Sequence, residues 1–138
     1  MSTPARGRWV RIALIAAAVY AAIGLWFPNP RDPSQGQFAW RLAAWIVSGV
    51  VFAAHISFEQ LGLGTTVRAT ALHAALGAAI GAFVLAAVAA GRAWLHGTGR
   101  LVLHAIALVA WPLITAIPAF LVALAAAAVL SRVRPWRT

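Results

Sequence analysis

Two histidines and a glutamate stand out in an otherwise apolar chain: His55, Glu59 and His73, with Arg68 between the last two. Ionisable side chains inside apolar runs are costly in a bilayer and mark function by default. His55 and His73 lie nine residues either side of Gly64. A hairpin turning at Gly64 therefore brings them to similar depth on adjacent antiparallel helices. Glu59, the chain's only glutamate, falls one helical turn past His55 on the same face, and Arg68 falls close to Thr70 and His73.

Three chemistries fit this set. The preferred one is structural: a Glu59–Arg68 ion pair closes the hairpin, while the histidines hydrogen-bond or reach for the interface. The second is a proton or ion pathway in which histidine and glutamate relay protons. The third is a metal site, because two imidazoles and one carboxylate form a facial set for iron or zinc. The neighbouring Arg68 and the lack of a fourth ligand count against it, and no cofactor is expected. Bis-histidine haem does not fit, since hairpin helices pack roughly 8–10 Å apart, too close to sandwich a porphyrin. His104 belongs to the other leaflet, and a covalently attached haem would need cysteine, which the chain lacks.

The remaining polar residues form thin stripes. Arg41, Ser48, His55 and Glu59 are spaced seven, seven and four, which keeps them on one helical face. Thr66, Thr70, His73, Gly77 and Gly81 do the same on the next helix. Gly77-x-x-x-Gly81 lets another backbone approach closely, and helix packing is preferred here to any part in transport. Further along, His104, Trp111, Thr115 and Pro118 share a stripe. Pro112 and Pro118 remove backbone donors and are expected to kink their helix, with Thr115 or a neighbour satisfying the carbonyls they release. There is no phosphate-binding loop, no nucleophile motif and no close pair of acids. Enzyme chemistry would have to lie inside the membrane at His55, Glu59 and His73.

The elements that must hold these residues are membrane helices. Of 138 residues, 63% are hydrophobic and only 9% charged, and mean hydropathy is +0.87. That composition excludes a soluble domain and a disordered tail. Four apolar runs, at 9–27, 38–58, 67–90 and 101–130, each supply the roughly 20 residues a bilayer crossing requires. The loop at 28–34 is rich in proline and polar residues. The turn at 61–66 carries two glycines, with Thr65 or Thr66 as N-cap, and the loop at 91–100 holds Trp94 and His96. Short connections imply antiparallel neighbours. The expected fold is all-α, a single transmembrane domain over 1–138 built as a four-helix up-down bundle.

All eleven basic residues are arginine and the net charge is +9. They cluster at the ends of apolar runs, where they meet anionic headgroups rather than nucleic acid. With the N-terminus inside, Arg6, Arg8, Arg11, Arg68, Arg132, Arg134 and Arg137 are cytoplasmic against Arg31, Arg41, Arg92 and Arg100 outside. Both termini are thus expected in the cytoplasm. An alanine-rich, lysine-free vocabulary fits a GC-rich bacterial genome and an inner-membrane location. The first run also resembles a secretory signal peptide, but it ends at Trp26-Phe27-Pro28 without a convincing cleavage site. The expected role is non-enzymatic helix–helix association through the Gly77 and Gly81 face, as a homo-oligomer or an accessory subunit of a membrane complex. The alternative is a small oligomeric channel or transporter with a His/Glu stripe.

Overall fold

The computed structural model describes residues 3–26, 35–97 and 101–133. It is all-helical, with no strand among the described residues. The helices are α1 (Thr3–Trp26), α2 (Gln35–Ser57), α3 (Val67–Leu95) and α4 (Leu101–Val133), and a π-helical segment, Phe58–Leu63, continues α2. All four are long and apolar enough to cross a membrane. The loop at 28–34, Arg100 and the basic tail from Arg134 lie outside the described residues.

Local chemistry explains the helix ends. Gly64 stops the π-helical segment with φ 66°, a left-handed conformation that glycine adopts without a Cβ penalty. Thr66 then caps α3, its side-chain oxygen accepting from the Ala69 N–H. Several ends extend past the hydropathy reading: α1 starts at Thr3, α2 at Gln35, and α4 ends at Val133. Helical structure continues past Phe58 to Leu63, because Glu59 and Gln60 are buried against the bundle instead of opening a loop. The third helix runs to Leu95 and absorbs Gly91, which is only partly buried and meets no neighbour, so it costs propensity but no packing. Arg92, in the last turn of α3, complements the negative end of its dipole. The α4 helix is continuous across Pro112 and Pro118.

Helix α3 is the hub, packed along its length against α4 on one side and α1 on the other. Its contact with α4 is made of small residues. Ala71 and Ala74 meet Ala123 and Ala127, all fully buried, with Ile56 of α2 completing the cluster. Its contact with α1 is smaller still in side-chain size. A Cβ on Gly77 would lie 3.3 Å from the Ala13 carbonyl oxygen and 3.7 Å from the Ala16 Cβ. One on Gly81 would lie 2.8 Å from the Tyr20 Cβ and 3.2 Å from the Ala17 carbonyl oxygen, and further along Leu85 sits over Gly24. These pairs follow the same order along both helices, so α1 and α3 run in the same direction.

In lipid, helices associate through close van der Waals packing rather than through escape from water, and small residues permit that approach. The Gly77 and Gly81 face is therefore occupied inside the chain, by α1. The sequence reading assigned it to association with another copy or partner, and that surface is not presented outward. What does face outward is large and apolar, such as Trp45 of α2, 80% exposed.

Candidate functional site

At the end of the bundle near Gly64, the elements bring three titratable side chains together. Glu59 comes from the first turn of the π-helical segment and is fully buried, at 0% exposure. Its Oε2 lies 2.7 Å from Nδ1 of His73 on α3, and its Oε1 lies 3.3 Å from Nε2 of His55 on α2. An ionised carboxylate has only acceptors, so in that state each imidazole donates. The hydrogen bond to His73 has the short length of a charge-assisted contact, while that to His55 is longer than usual. His55 is 4% exposed, whereas His73 keeps 12% of its side chain open. One oxygen thus faces the interior and the other faces the rim.

Trp9 of α1 covers the rim side. Its ring stacks on the His73 imidazole with centroids 4.0 Å apart and planes 3° from parallel. That contact holds the imidazole plane while Nδ1 points at Glu59. An indole at the start of an apolar run is ordinarily an anchor in the headgroup layer. The signal that relates it to the site is the register along α1, where Trp9, Ala13, Ala16 and Tyr20 repeat at four, three and four against His73, Gly77 and Gly81 of α3.

Beneath the carboxylate a hydroxyl network fixes the turn. Thr65 donates from Oγ1 to the Glu59 carbonyl at 3.0 Å, and the Thr65 N–H reaches the same oxygen at 3.2 Å. Thr70, fully buried, donates to Oε1 of buried Gln60 at 3.0 Å, and the two threonine hydroxyl oxygens are 2.6 Å apart. Two hydroxyl protons therefore serve three contacts, so the network can rearrange by hydroxyl rotation alone. π-Helical turns recur at functional sites because they break the regular ladder. Here the Glu59 carbonyl accepts from the Gly64 and Thr65 N–H groups and from the Thr65 side chain together. From sequence Thr65 stands out only as a candidate cap and Gln60 not at all, since amide and hydroxyl side chains beside a turn are ordinary there.

The expected Glu59–Arg68 ion pair does not form. Both carboxylate oxygens are engaged by imidazoles, and Arg68 is exposed. Arg68 precedes His73 by five residues, which turns it well away from that residue's face. Among the described residues no group of three or more His, Cys, Asp or Glu side chains is arranged to hold a metal ion. The imidazole nitrogens that face Glu59 hydrogen-bond it instead of converging with it on a common point.

The other stripe residues lie apart from this cluster, except for Thr70. Arg41 is exposed and Ser48 partly buried on α2, two or more turns from His55, while His104 and Thr115 are partly buried on α4. Around the site, Arg8 and Arg11 of α1, Arg68 of α3 and Arg132 of α4 are all exposed toward the same end of the bundle. A buried carboxylate with two imidazoles can exist as an anion, as a neutral site sharing one proton, or as a cation with two. Comparison of the chain with protein-family models, curated proteins and solved structures returns no match.

Proposed function

We propose that this chain is a small multi-pass protein of a bacterial cytoplasmic membrane that takes up and hands on protons through His55, Glu59 and His73. In this reading the helices cross the bilayer as an up-down bundle with both termini cytoplasmic, and α4 bends at Pro112 and Pro118. The observation that carries it is Glu59: fully buried, with one imidazole on each carboxylate oxygen. A static ion pair needs a single partner. An inner and an outer imidazole on opposite oxygens give the carboxylate a separate donor and recipient for one proton. The exposed arginines around the site favour anionic headgroups at that end. Four helices with this little polarity form a poor pore alone, so the working unit is an oligomer.

The test is proton flux into vesicles of mixed neutral and anionic lipid under an imposed pH difference. Wild type is expected to exceed empty vesicles, and Glu59→Gln to return to their level. Wild-type flux equal to that of empty vesicles refutes the reading.

A second reading keeps the protein non-enzymatic and acting by helix–helix association, as a homo-oligomer or an accessory subunit. The breadth of exposed apolar surface on α2 and α4 favours it, with Trp45 and Trp111 both outward. Because Gly77 and Gly81 face α1, such association would use α2 or α4.

A further inference from the structure

Each contact at Glu59 needs one proton between its two atoms, because two bare acceptors repel. One proton therefore lies in the 2.7 Å contact with His73 Nδ1 and another in the 3.3 Å contact with His55 Nε2. With Glu59 ionised, both imidazoles are then neutral donors and the buried site carries one net negative charge. A third proton cancels that charge, which is costly to bury. Two ring nitrogens remain to receive it. His55 Nδ1 is buried without a hydrogen-bond partner, so an N–H there would be a buried donor with nothing to accept it. His73 Nε2 is not enclosed in that way, since its ring keeps 12% of the side chain open at the rim.

Few groups surround His73. Glu59 faces it from the π-helical segment, with His55 of α2 beyond the carboxylate, and Trp9 covers it from α1. Arg8 and Arg11 of α1, Arg68 of its own helix and Arg132 of α4 are exposed toward the same end, and among the described residues none of them pairs with Glu59. The parallel stack on Trp9 lies against one face of the imidazole. Turning the imidazole off Glu59 would drive its edge into the indole, and α1 is held there by its close approach to Gly77 at Ala13 and Ala16. An indole face also receives a cation favourably.

We propose that His73 Nε2 is the atom at which the Glu59 site takes up and releases its proton, and that Trp9 is the positioning residue for that exchange. This rests on the proton reading above and fixes its step at the rim. A proton from hydronium in the headgroup layer binds Nε2, the Nδ1–H bond breaks as Oε2–H forms, and the site passes from one net negative charge to none. His73 ends neutral with its proton on Nε2, and Glu59 ends as an acid donating from Oε2 to Nδ1. Release runs the same steps in reverse, so the exchange needs no ring rotation and no transfer between carboxylate oxygens. His55 keeps its Nε2 proton and its contact with Oε1 throughout.

The experiment uses the full chain in vesicles, with circular dichroism confirming the fold of each variant. Nitrogen NMR of isotope-labelled histidine rings, followed from about pH 8 to about pH 5, reads the proton on each ring nitrogen. His55→Asn and His73→Asn assign the signals. The proton is expected to enter at His73 Nε2 while His55 keeps a bare Nδ1 at every pH. A proton entering at His55 Nδ1, or no change at His73, overturns the exchange site. In Trp9→Leu the His73 Nδ1 signal is expected to lose its hydrogen bond, and in Trp9→Phe, which keeps a stacking face, to retain it. Under an imposed pH difference, Trp9→Leu is expected to lower proton flux on the order of tenfold, because a ring no longer held in line transfers poorly, and Trp9→Phe to recover most of it. A Trp9→Leu variant equal to wild type, or a loss that Trp9→Phe fails to recover, overturns Trp9 as the positioning residue. Absence of wild-type flux overturns the proton reading, and the nitrogen spectra then uphold or overturn both parts of the rim step by themselves.

Discussion

Removing the partners of Glu59 one at a time separates the observed pairing from the one its sequence suggests. His73→Ala deletes the 2.7 Å hydrogen bond to Oε2 and the parallel stack on Trp9. A hydrogen bond to a buried charged group contributes about 1.5–3 kcal/mol. A stacked pair contributes about 0.5–1.5 kcal/mol beyond its area. The sum is about 2–4.5 kcal/mol, at or below the 3–5 kcal/mol typical of breaking a buried ion pair, because His55 still engages the carboxylate. His55→Ala deletes a longer, 3.3 Å contact and also removes the unpartnered Nδ1. Losing an unsatisfied atom offsets part of the damage, which leaves about 1–2 kcal/mol. Arg68 is exposed, so Arg68→Ala should change stability little. The assay is reversible unfolding in mixed detergent micelles followed by tryptophan fluorescence, with helicity by circular dichroism as a second probe. The expected order of destabilisation is His73→Ala, then His55→Ala, then Arg68→Ala. Arg68→Ala as damaging as His73→Ala would restore the Arg68 ion pair and refute the pairing described here.

Two further perturbations test the packing and the turn. Gly81→Ala places its Cβ 2.8 Å from the Tyr20 Cβ, whereas Gly77→Ala meets nothing closer than 3.3 Å. Overpacking costs about 1–3 kcal/mol while glycine to alanine returns about 1 kcal/mol of helix propensity. Gly81→Ala is thus expected to destabilise and Gly77→Ala to be close to neutral in the same unfolding assay, and equal effects would contradict the α1–α3 register. Thr70→Val removes the donor to Gln60 and the contact with Thr65. It should cost about 1–3 kcal/mol by leaving the buried Gln60 carbonyl unsatisfied. A neutral Thr70→Val would mean the network does not hold the turn.

Much of the scaffold is legible in the chain because the bilayer demands it. Runs of about 20 apolar residues are a length requirement, and hydropathy reads them directly. The left-handed Gly64 and the Thr66 cap are likewise local chemistry. The partner of Glu59 is not local. Depth about a hairpin comes from counting residues, but whether Arg68 or His73 faces Glu59 depends on helix rotation, and charge alone favours Arg68. The extension of α2 to Leu63 is hidden for a related reason. Glu59 and Gln60 look like the polar end of a span, and only their burial against α3 shows that the helix continues. The role of Gly77 and Gly81 was open because small-residue spacing marks a close approach without saying whose. Alanine-rich helices offer many equivalent faces, so the choice of α1 rests on the register of Trp9, Ala13, Ala16 and Tyr20.

In the proton reading proposed above, the depth of the site decides which exchanges are open to it. Glu59 lies only five residues from Gly64, about 7 Å at the α-helical rise, so the site sits near one end of the bundle. In that reading His73, partly open beside Trp9, connects that end to the headgroup layer. A carboxylate reached only from there exchanges protons with one face of the membrane, and its protonation can alter packing at that end but moves no net charge across. In that reading, passage to the other face needs a route inward from His55, whose Nδ1 is buried without a hydrogen-bond partner. In the proton reading, the apolar contact where Leu85 covers Gly24, further along α1 and α3, is the barrier toward the other end of the bundle. A conducting chain must open that stretch, so Leu85→Ala should raise vesicle proton flux in the wild-type background and leave Glu59→Gln inactive. Wild-type flux that Leu85→Ala leaves unchanged would remove Leu85 as the barrier and require another inward route.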